Sequence, residues 1–238
     1  MDPAFWSRKG LIDFLTVAPF LSTETDIPVG EIKAACGSIP IYTCLEFTIG
    51  ARQMTREEKR AAAALLYAAG SDGMYLFNYF VAWDAGFEAD TEVLKELANP
   101  ELLAGKDKLY TIAIPRYPVP GVSLPGQVPL RLKKGEAKSV TVRTVESVRP
   151  RSMVVRIECA DTLTTSDLSV QLNGTDLRRG IVPKIAQIFP EKIWPSLPVR
   201  EKTLEFAADP SLLKDVNEVT IRANRAVTVE WVYVGVRH

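Results

Sequence analysis

Residues 39–80 constrain the fold more than any other part of this sequence. They read as an apolar run (39–47), a helical segment and a second apolar run (74–80). The helical segment is rich in Ala, Leu, Glu, Lys and Arg, which have high helix propensity. At its start Thr55 and Glu58 have the spacing of a capping box. Neither apolar run alternates with polar residues, which is typical of strands buried on both faces of a parallel sheet. The stretch therefore predicts a strand–helix–strand unit with parallel strands.

A similar unit precedes it. Residues 11–18 form another apolar run, and residues 28–36 predict a short helix with Pro28 near its first turn. A further helix is predicted at residues 91–97. Short apolar strands that alternate with helices favour either a (β/α) barrel or an open doubly wound sheet.

The second half of the chain has a different pattern. Residues 115–129 contain five prolines, as expected of an extended connection. From residue 138 onward, short runs alternate apolar and polar residues, and the Asn173–Gly174 dipeptide between two of them predicts a tight hairpin. Many short alternating strands predict an antiparallel β-sandwich. The runs lie at residues 138–146, 153–159, 168–172, 219–223 and 227–236.

We therefore expect an α/β part followed by an all-β part. The predicted organisation is a partial (β/α)₈ barrel at residues 1–105, a Pro-rich connection at residues 106–126 and an antiparallel, jelly-roll-like β-sandwich at residues 127–238. An eight-stranded barrel typically needs about 250 residues, whereas residues 1–105 supply three strands. The chain is therefore expected to be the C-terminal portion of a longer protein. The alternative is a small α/β domain that completes itself by self-association through its open barrel edge.

Composition and charge narrow the classes of partner. The 29 basic and 29 acidic residues cancel, so no whole-chain field attracts nucleic acid or an anionic membrane. No run approaches the roughly 18 apolar residues of a membrane span. The first residues lack the three regions of a signal peptide, and the localisation stays open. We expect neither nucleic acid nor a membrane as partner.

The residues that usually carry metal or nucleophilic chemistry are scarce. The only histidine is His238, which removes His-based triads and most zinc sites. Cys36, Cys44 and Cys159 have unrelated spacings and are interpreted as buried thiols. No glycine-rich phosphate loop and no Cys-x-x-Cys pair occurs. We predict no metal site and no cofactor.

Several phrases carry a family resemblance. They are FWSRKGLIDFLTVAPF, IPIYTCLEF and, most specific, AAGSDGMYLFNYF at residues 68–80. With them, residues 5–105 resemble the last third of the barrel in bacterial glycoside-hydrolase-like TIM-barrel proteins that carry a C-terminal β-sandwich. The resemblance implies that the three apolar runs are barrel strands six, seven and eight, and that the ligand is a carbohydrate.

Under this resemblance the candidate site lies at the C-terminal ends of the strands, as in other such barrels. Glu46 matches the catalytic nucleophile that ends strand seven, while the acid/base would end strand four, outside this chain. The alternative is that Glu46 pairs with Arg52 or a backbone amide. Asn78, Tyr79 and Trp83 follow strand eight and are candidate substrate-binding residues, since aromatic rings and amides recognise sugars. The alternative is that Tyr79 lies in the core and Trp83 anchors a loop.

Two functions follow. The first is the C-terminal portion of a glycoside hydrolase that acts on a poly- or oligosaccharide, and whether the protein is an enzyme depends on the rest of the parent protein. The second is a non-catalytic carbohydrate-binding or structural module. Because retaining hydrolysis needs two carboxylates about 5 Å apart, the chain by itself is predicted not to hydrolyse glycosides.

Overall fold

A computed structural model describes residues 2–19, 22–50, 52–77, 79, 90–114, 126–178, 180–181 and 202–238. Its helices are α1 (Pro3–Arg8), α2 (Val29–Cys36), α3 (Arg56–Ala68) and α4 (Glu92–Leu97), with short 3₁₀ turns at Pro100–Leu103 and Pro210–Leu212. The strands of the first half are β1 (Leu15–Val17), β2 (Ile41–Glu46), β3 (Thr48–Ile49), β4 (Arg52–Gln53) and β5 (Gly73–Phe77). Those of the second half are β6 (Lys108–Ala113), β7 (Leu130–Leu132), β8 (Ala137–Arg143), β9 (Ser152–Cys159), β10 (Leu168–Leu172), β11 (Thr175–Asp176), β12 (Thr203–Ala208), β13 (Val216–Ala223) and β14 (Val227–Arg237).

The first half is built around a parallel sheet in the order β1-β2-β5. Both pairings are parallel, so the predicted strand–helix–strand unit is confirmed as β2, α3 and β5. Helix α3 begins with the predicted capping box, in which Thr55 and Glu58 each bond the other's backbone amide. It ends before Gly70, whose φ of +107° favours a residue without Cβ. Local sequence signals thus fix both ends of this helix.

The second half consists of two antiparallel sheets. One has the order β11-β10-β13-β8, and the other has the order β12-β9-β14-β6 with β7 also paired to β14. Buried apolar residues from both sheets belong to one hydrophobic cluster, which includes Val140, Val170, Val155 and Val234. The predicted hairpin joins β10 to β11 through Asn173–Gly174, and both of these residues have positive φ, as a type I′ turn requires.

Two predicted boundaries differ from the structure. Of residues 11–18 only Leu15–Val17 form a strand, because only these residues pair with β2. Leu11 and Phe14, which precede the strand, are exposed. The predicted connection at residues 106–126 contains strand β6, which pairs with β14. Its partner lies more than a hundred residues downstream, so no local signal announced the pairing. Among the described residues the parallel sheet has three strands and does not close, and the partial barrel stays a prediction.

A buried ion pair joins the two halves. The Arg52 guanidinium donates to both carboxylate oxygens of Glu158 on β9 and to the Tyr233 hydroxyl on β14, at 2.6 Å from the latter. It lies 4.0 Å from the Trp231 ring, which stacks on Tyr233. The side chains of Arg52 and Glu158 are 6% and 4% exposed. Nearby, Glu58 accepts a hydrogen bond of 2.7 Å from Thr111 on β6.

We predict that Glu158→Ala lowers the free energy of unfolding by about 3–5 kcal/mol, because it leaves the Arg52 charge buried without its partner. Urea unfolding measures this loss. Glu92→Ala, which breaks the exposed pair with Lys95 on α4, is the control, with an expected change of about 1 kcal/mol or less. Equal effects of the two substitutions would contradict the prediction.

Candidate functional site

The carboxyl ends of the three parallel strands meet at one edge of the sheet. Strand β1 ends at Val17, β2 at Glu46 and β5 at Phe77. Glu46 is paired with Phe77, whereas Val17 is paired with Thr43, three residues before the end of β2. In sheets of this kind ligands bind at the carboxyl edge, where the loops that follow the strands come together. This edge is therefore the candidate site.

Glu46 ends β2 and is 5% exposed. Its backbone amide donates to the Thr23 hydroxyl at 2.9 Å, and that hydroxyl lies 3.2 Å from the Glu46 carbonyl oxygen. The Thr23 amide in turn donates to the carbonyl oxygen of Thr48 at 2.9 Å. The loop after β1 is thus bonded to the end of β2 on both sides of Glu46. The sequence placed Glu46 at a strand end, and the structure agrees.

Side chains alternate between the faces of a strand, which puts Glu46 on the same face as Tyr42. The register of β2 with β5 adds Tyr75 and Phe77 to this face. Phe14 joins them, because its ring lies 5.7 Å from that of Tyr42 in an edge-to-face arrangement. We call Phe14, Tyr42, Tyr75 and Phe77 the aromatic face.

The aromatic face is partly open to solvent. Phe14, Tyr75 and Phe77 are 57%, 48% and 38% exposed. The opposite face of the same strands carries Ile41 and Leu45, which are buried in a cluster with residues of α2 and α3. Helices thus cover one side of the sheet, while a row of aromatic rings lies on the other and leads to Glu46.

Tyr79 was predicted to contact substrate. Its hydroxyl donates to the backbone oxygen of Asp90 at 2.7 Å, and Lys59 donates to it at 3.3 Å. Its ring meets that of Phe47 edge to face at 6.4 Å, and burial raises the pKa of Tyr79 to about 12. These contacts anchor Tyr79, and a role in binding sugar stays a prediction. Asn78 and Trp83 lie outside the described residues.

Sequence reasoning missed Glu24. It lies in the loop after β1, next to Thr23, and lines a cleft of about 50 Å³ together with Asp26, Gln127 and residues of β6. Burial raises the pKa of Glu24 from 4.5 to about 7, and the charge of Asp26 adds to the rise. A carboxyl with such a shift in a cleft is a candidate for a functional group. In the sequence Glu24 belongs to an ordinary acidic loop, so no local signal marked it.

The described residues hold no group of three or more His, Cys, Asp or Glu side chains that could bind a metal ion. Cys36, Cys44 and Cys159 are buried and free, as predicted. No helix in the described part of the chain is long and apolar enough to cross a membrane.

No protein-family model matches the chain, and no curated protein matches it. Solved structures that are similar to it include glycoside hydrolases. A variant of BuGH86 in complex with neoagarooctaose is 14% identical with a TM-score of 0.35, over 54% of this chain and 18% of that chain. The catalytic unit of a GH87 α-1,3-glucanase from Streptomyces thermodiastaticus is 17% identical with a TM-score of 0.28, over 46% and 20%.

The third comparison is with a β-porphyranase of glycoside hydrolase family 86 from Bacteroides plebeius. It is 12% identical with a TM-score of 0.33, over 98% of this chain and 64% of that chain. The chain thus spans less than two thirds of each of these proteins. TM-scores this low do not show a common fold.

We predict that Glu24→Gln flattens the dependence of stability on pH between about 4.5 and 7. A carboxyl whose pKa is raised in the folded state favours folding below its unfolded pKa, and this contribution is lost as the pH rises through the folded value. Urea unfolding at several pH values measures the slope. Glu58, whose pKa burial also raises to about 7, leaves a residual slope in the variant. Glu31→Gln, which removes an exposed carboxyl from α2, is the control. A slope for Glu24→Gln equal to that of the unsubstituted protein would contradict the prediction.

Proposed function

We propose that this chain is the C-terminal portion of a carbohydrate-active protein whose sugar ligand lies along the aromatic face and reaches Glu46. One observation carries the proposal: a row of partly exposed aromatic rings leads to a buried carboxylate at the carboxyl edge of a parallel sheet. Aromatic rings stack on the apolar faces of sugars, and a carboxylate accepts hydrogen bonds from their hydroxyls.

The finer proposal is a glycoside hydrolase. Here β1, β2 and β5 are the last strands of a (β/α)₈ barrel in residues 1–105, and residues 127–238 form a β-sandwich. Glu46 is then the nucleophile, with an acid/base on another strand of the barrel. The alternative is a non-catalytic carbohydrate-binding module, for which the aromatic face suffices. The DNA sequence upstream distinguishes the hydrolase from the binding module. The hydrolase needs barrel strands one to five encoded in the same reading frame, with a carboxylate at the end of strand four.

We predict that Tyr75→Ala and Phe77→Ala each weaken oligosaccharide binding by up to about tenfold, because one aromatic contact contributes about 0.5–1.5 kcal/mol. Isothermal titration calorimetry with neoagarooctaose and with an α-1,3-glucan oligosaccharide measures the affinity. Phe5→Ala removes an exposed ring on α1 outside the aromatic face and should leave the affinity unchanged. Equal losses in all three variants, or no binding of any saccharide, would contradict the proposal.

For the chain alone we predict binding without hydrolysis, since retaining hydrolysis needs two carboxylates and the resemblance puts the acid/base on a barrel strand other than β1, β2 and β5. Release of aryl leaving groups from aryl glycosides is the measurement, with Glu46→Gln as the comparison. Turnover by the chain that Glu46→Gln abolishes would show that the chain contains both carboxylates.

The described part of the sheet also leads us to propose self-association of the isolated chain. Strand β1 is an edge strand, and an unpaired edge beside exposed apolar rings favours contacts between copies. We predict that sedimentation velocity shows oligomers whose fraction increases with concentration, and that Phe14→Asp reduces them. A single monomeric species at all concentrations would contradict this.

A further inference from the structure

We infer that the antiparallel sheet holds the candidate catalytic edge in place, with Arg52 as a positioning residue for Glu46. The chemical role of Glu46 rests on the proposed function, whereas the positioning does not. The inference makes the second half of the chain part of the site rather than an appended module.

The first step is the link between Glu46 and Arg52. Strands β3 and β4 form a two-residue hairpin that starts at Thr48, two residues after Glu46. The amide of Met54, which follows the hairpin, donates to the carbonyl oxygen of Phe47 at 3.0 Å. The hairpin therefore closes directly on the end of β2, and any displacement of Arg52 acts on the backbone next to Glu46.

The second step is the fit of the hairpin against the antiparallel sheet. Gly50 lies at the turn with a φ of +53°, and a Cβ there would lie 2.7 Å from the Ile114 carbonyl oxygen and 2.9 Å from the Trp231 ring. The Gly50 amide donates to the Ser22 hydroxyl at 3.0 Å. The hairpin tip is thus in contact with the second half on one side and with the loop after β1 on the other.

The third step is the strength of the attachment. The Arg52 guanidinium is bonded to Glu158 and Tyr233 in a site that excludes water almost completely. A buried charge that loses its partner is strongly unfavourable. The structure relieves this most readily by moving Arg52 into water, which requires the short hairpin to leave the sheet. Loss of the Glu158 charge should therefore loosen the end of β2.

A second buried ion pair, away from the hairpin, serves as a control that distinguishes positioning of Glu46 from general stabilisation of the fold. Lys108 on β6 and Glu146 form a second buried ion pair, with side chains 2% and 5% exposed. Glu146 also accepts a hydrogen bond from the Tyr110 hydroxyl and lies 3.1 Å from Nε2 of His238. Neither partner belongs to the hairpin, so breaking this pair destabilises the fold without acting directly on Glu46.

The experiment uses the full chain with Glu158→Gln and, as the control, Glu146→Gln. The first readout is amide hydrogen exchange over residues 44–54. The second is the titration curve of the ¹³C-labelled Glu46 side-chain carboxyl, assigned by its absence in Glu46→Gln.

For Glu158→Gln we expect exchange at residues 47–54 to accelerate by about tenfold or more through local opening. We expect the titration midpoint of Glu46 to move by about half a pH unit or more. Glu146→Gln should leave both readouts unchanged.

Tyr233→Phe is a second, nearly isosteric variant that removes only the hydroxyl bonded to Arg52, and it should give smaller changes of the same kind. It serves if Glu158→Gln does not fold. Identical responses to Glu158→Gln and Glu146→Gln would overturn the inference. So would an unchanged titration midpoint of Glu46 in whichever of Glu158→Gln and Tyr233→Phe is folded. Both readouts need no saccharide, so a chain that binds none would refute the proposed function and leave this inference standing.

Discussion

The buried ion pair between Arg52 and Glu158 is the interaction on which the arrangement of the two halves depends. A guanidinium and a carboxylate tolerate exclusion from water only with good geometry and with their remaining hydrogen bonds satisfied. Here the guanidinium comes from a two-residue strand of the first half, the carboxylate from β9 and an additional hydroxyl from β14. The ion pair therefore fixes which part of the antiparallel sheet faces the end of β2.

Other contacts around the ion pair also connect the parallel half to the antiparallel half. Trp231 and Tyr233 lie on β14, yet they are buried in the hydrophobic cluster of the parallel half. Glu58 caps α3 and also accepts a hydrogen bond from Thr111 on β6. The helix that covers one face of the parallel sheet is thus bonded to the antiparallel sheet at its first turn. Such contacts do not resemble a flexible tether between independent modules.

The candidate site combines a partly exposed aromatic surface with a buried carboxylate. In the described part of the chain, helices cover only the face of the parallel sheet opposite the aromatic face, whereas such sheets are normally covered on both faces. Three of the four rings of the aromatic face are exposed, while Glu46 at its end is buried and bonded through its backbone to Thr23. The proposal that a sugar chain lies along this surface depends on this combination of partly exposed rings and a buried carboxylate. The raised pKa of Glu24 at the same edge adds a group that can hold a proton near neutral pH.

The sequence by itself determined the elements with local signals: the capping box at Thr55, the glycine after α3, the Asn173–Gly174 turn and the position of Glu46 at a strand end. These depend on residues a few positions apart, whose preferences act before any tertiary contact forms. The tertiary structure alone decided that residues 108–113 form a strand, that Glu24 is desolvated and that Arg52 meets Glu158 across 106 residues of chain. Strand pairing, burial and ion pairing depend on atoms brought together from distant segments. A single sequence does not show which distant segments come into contact.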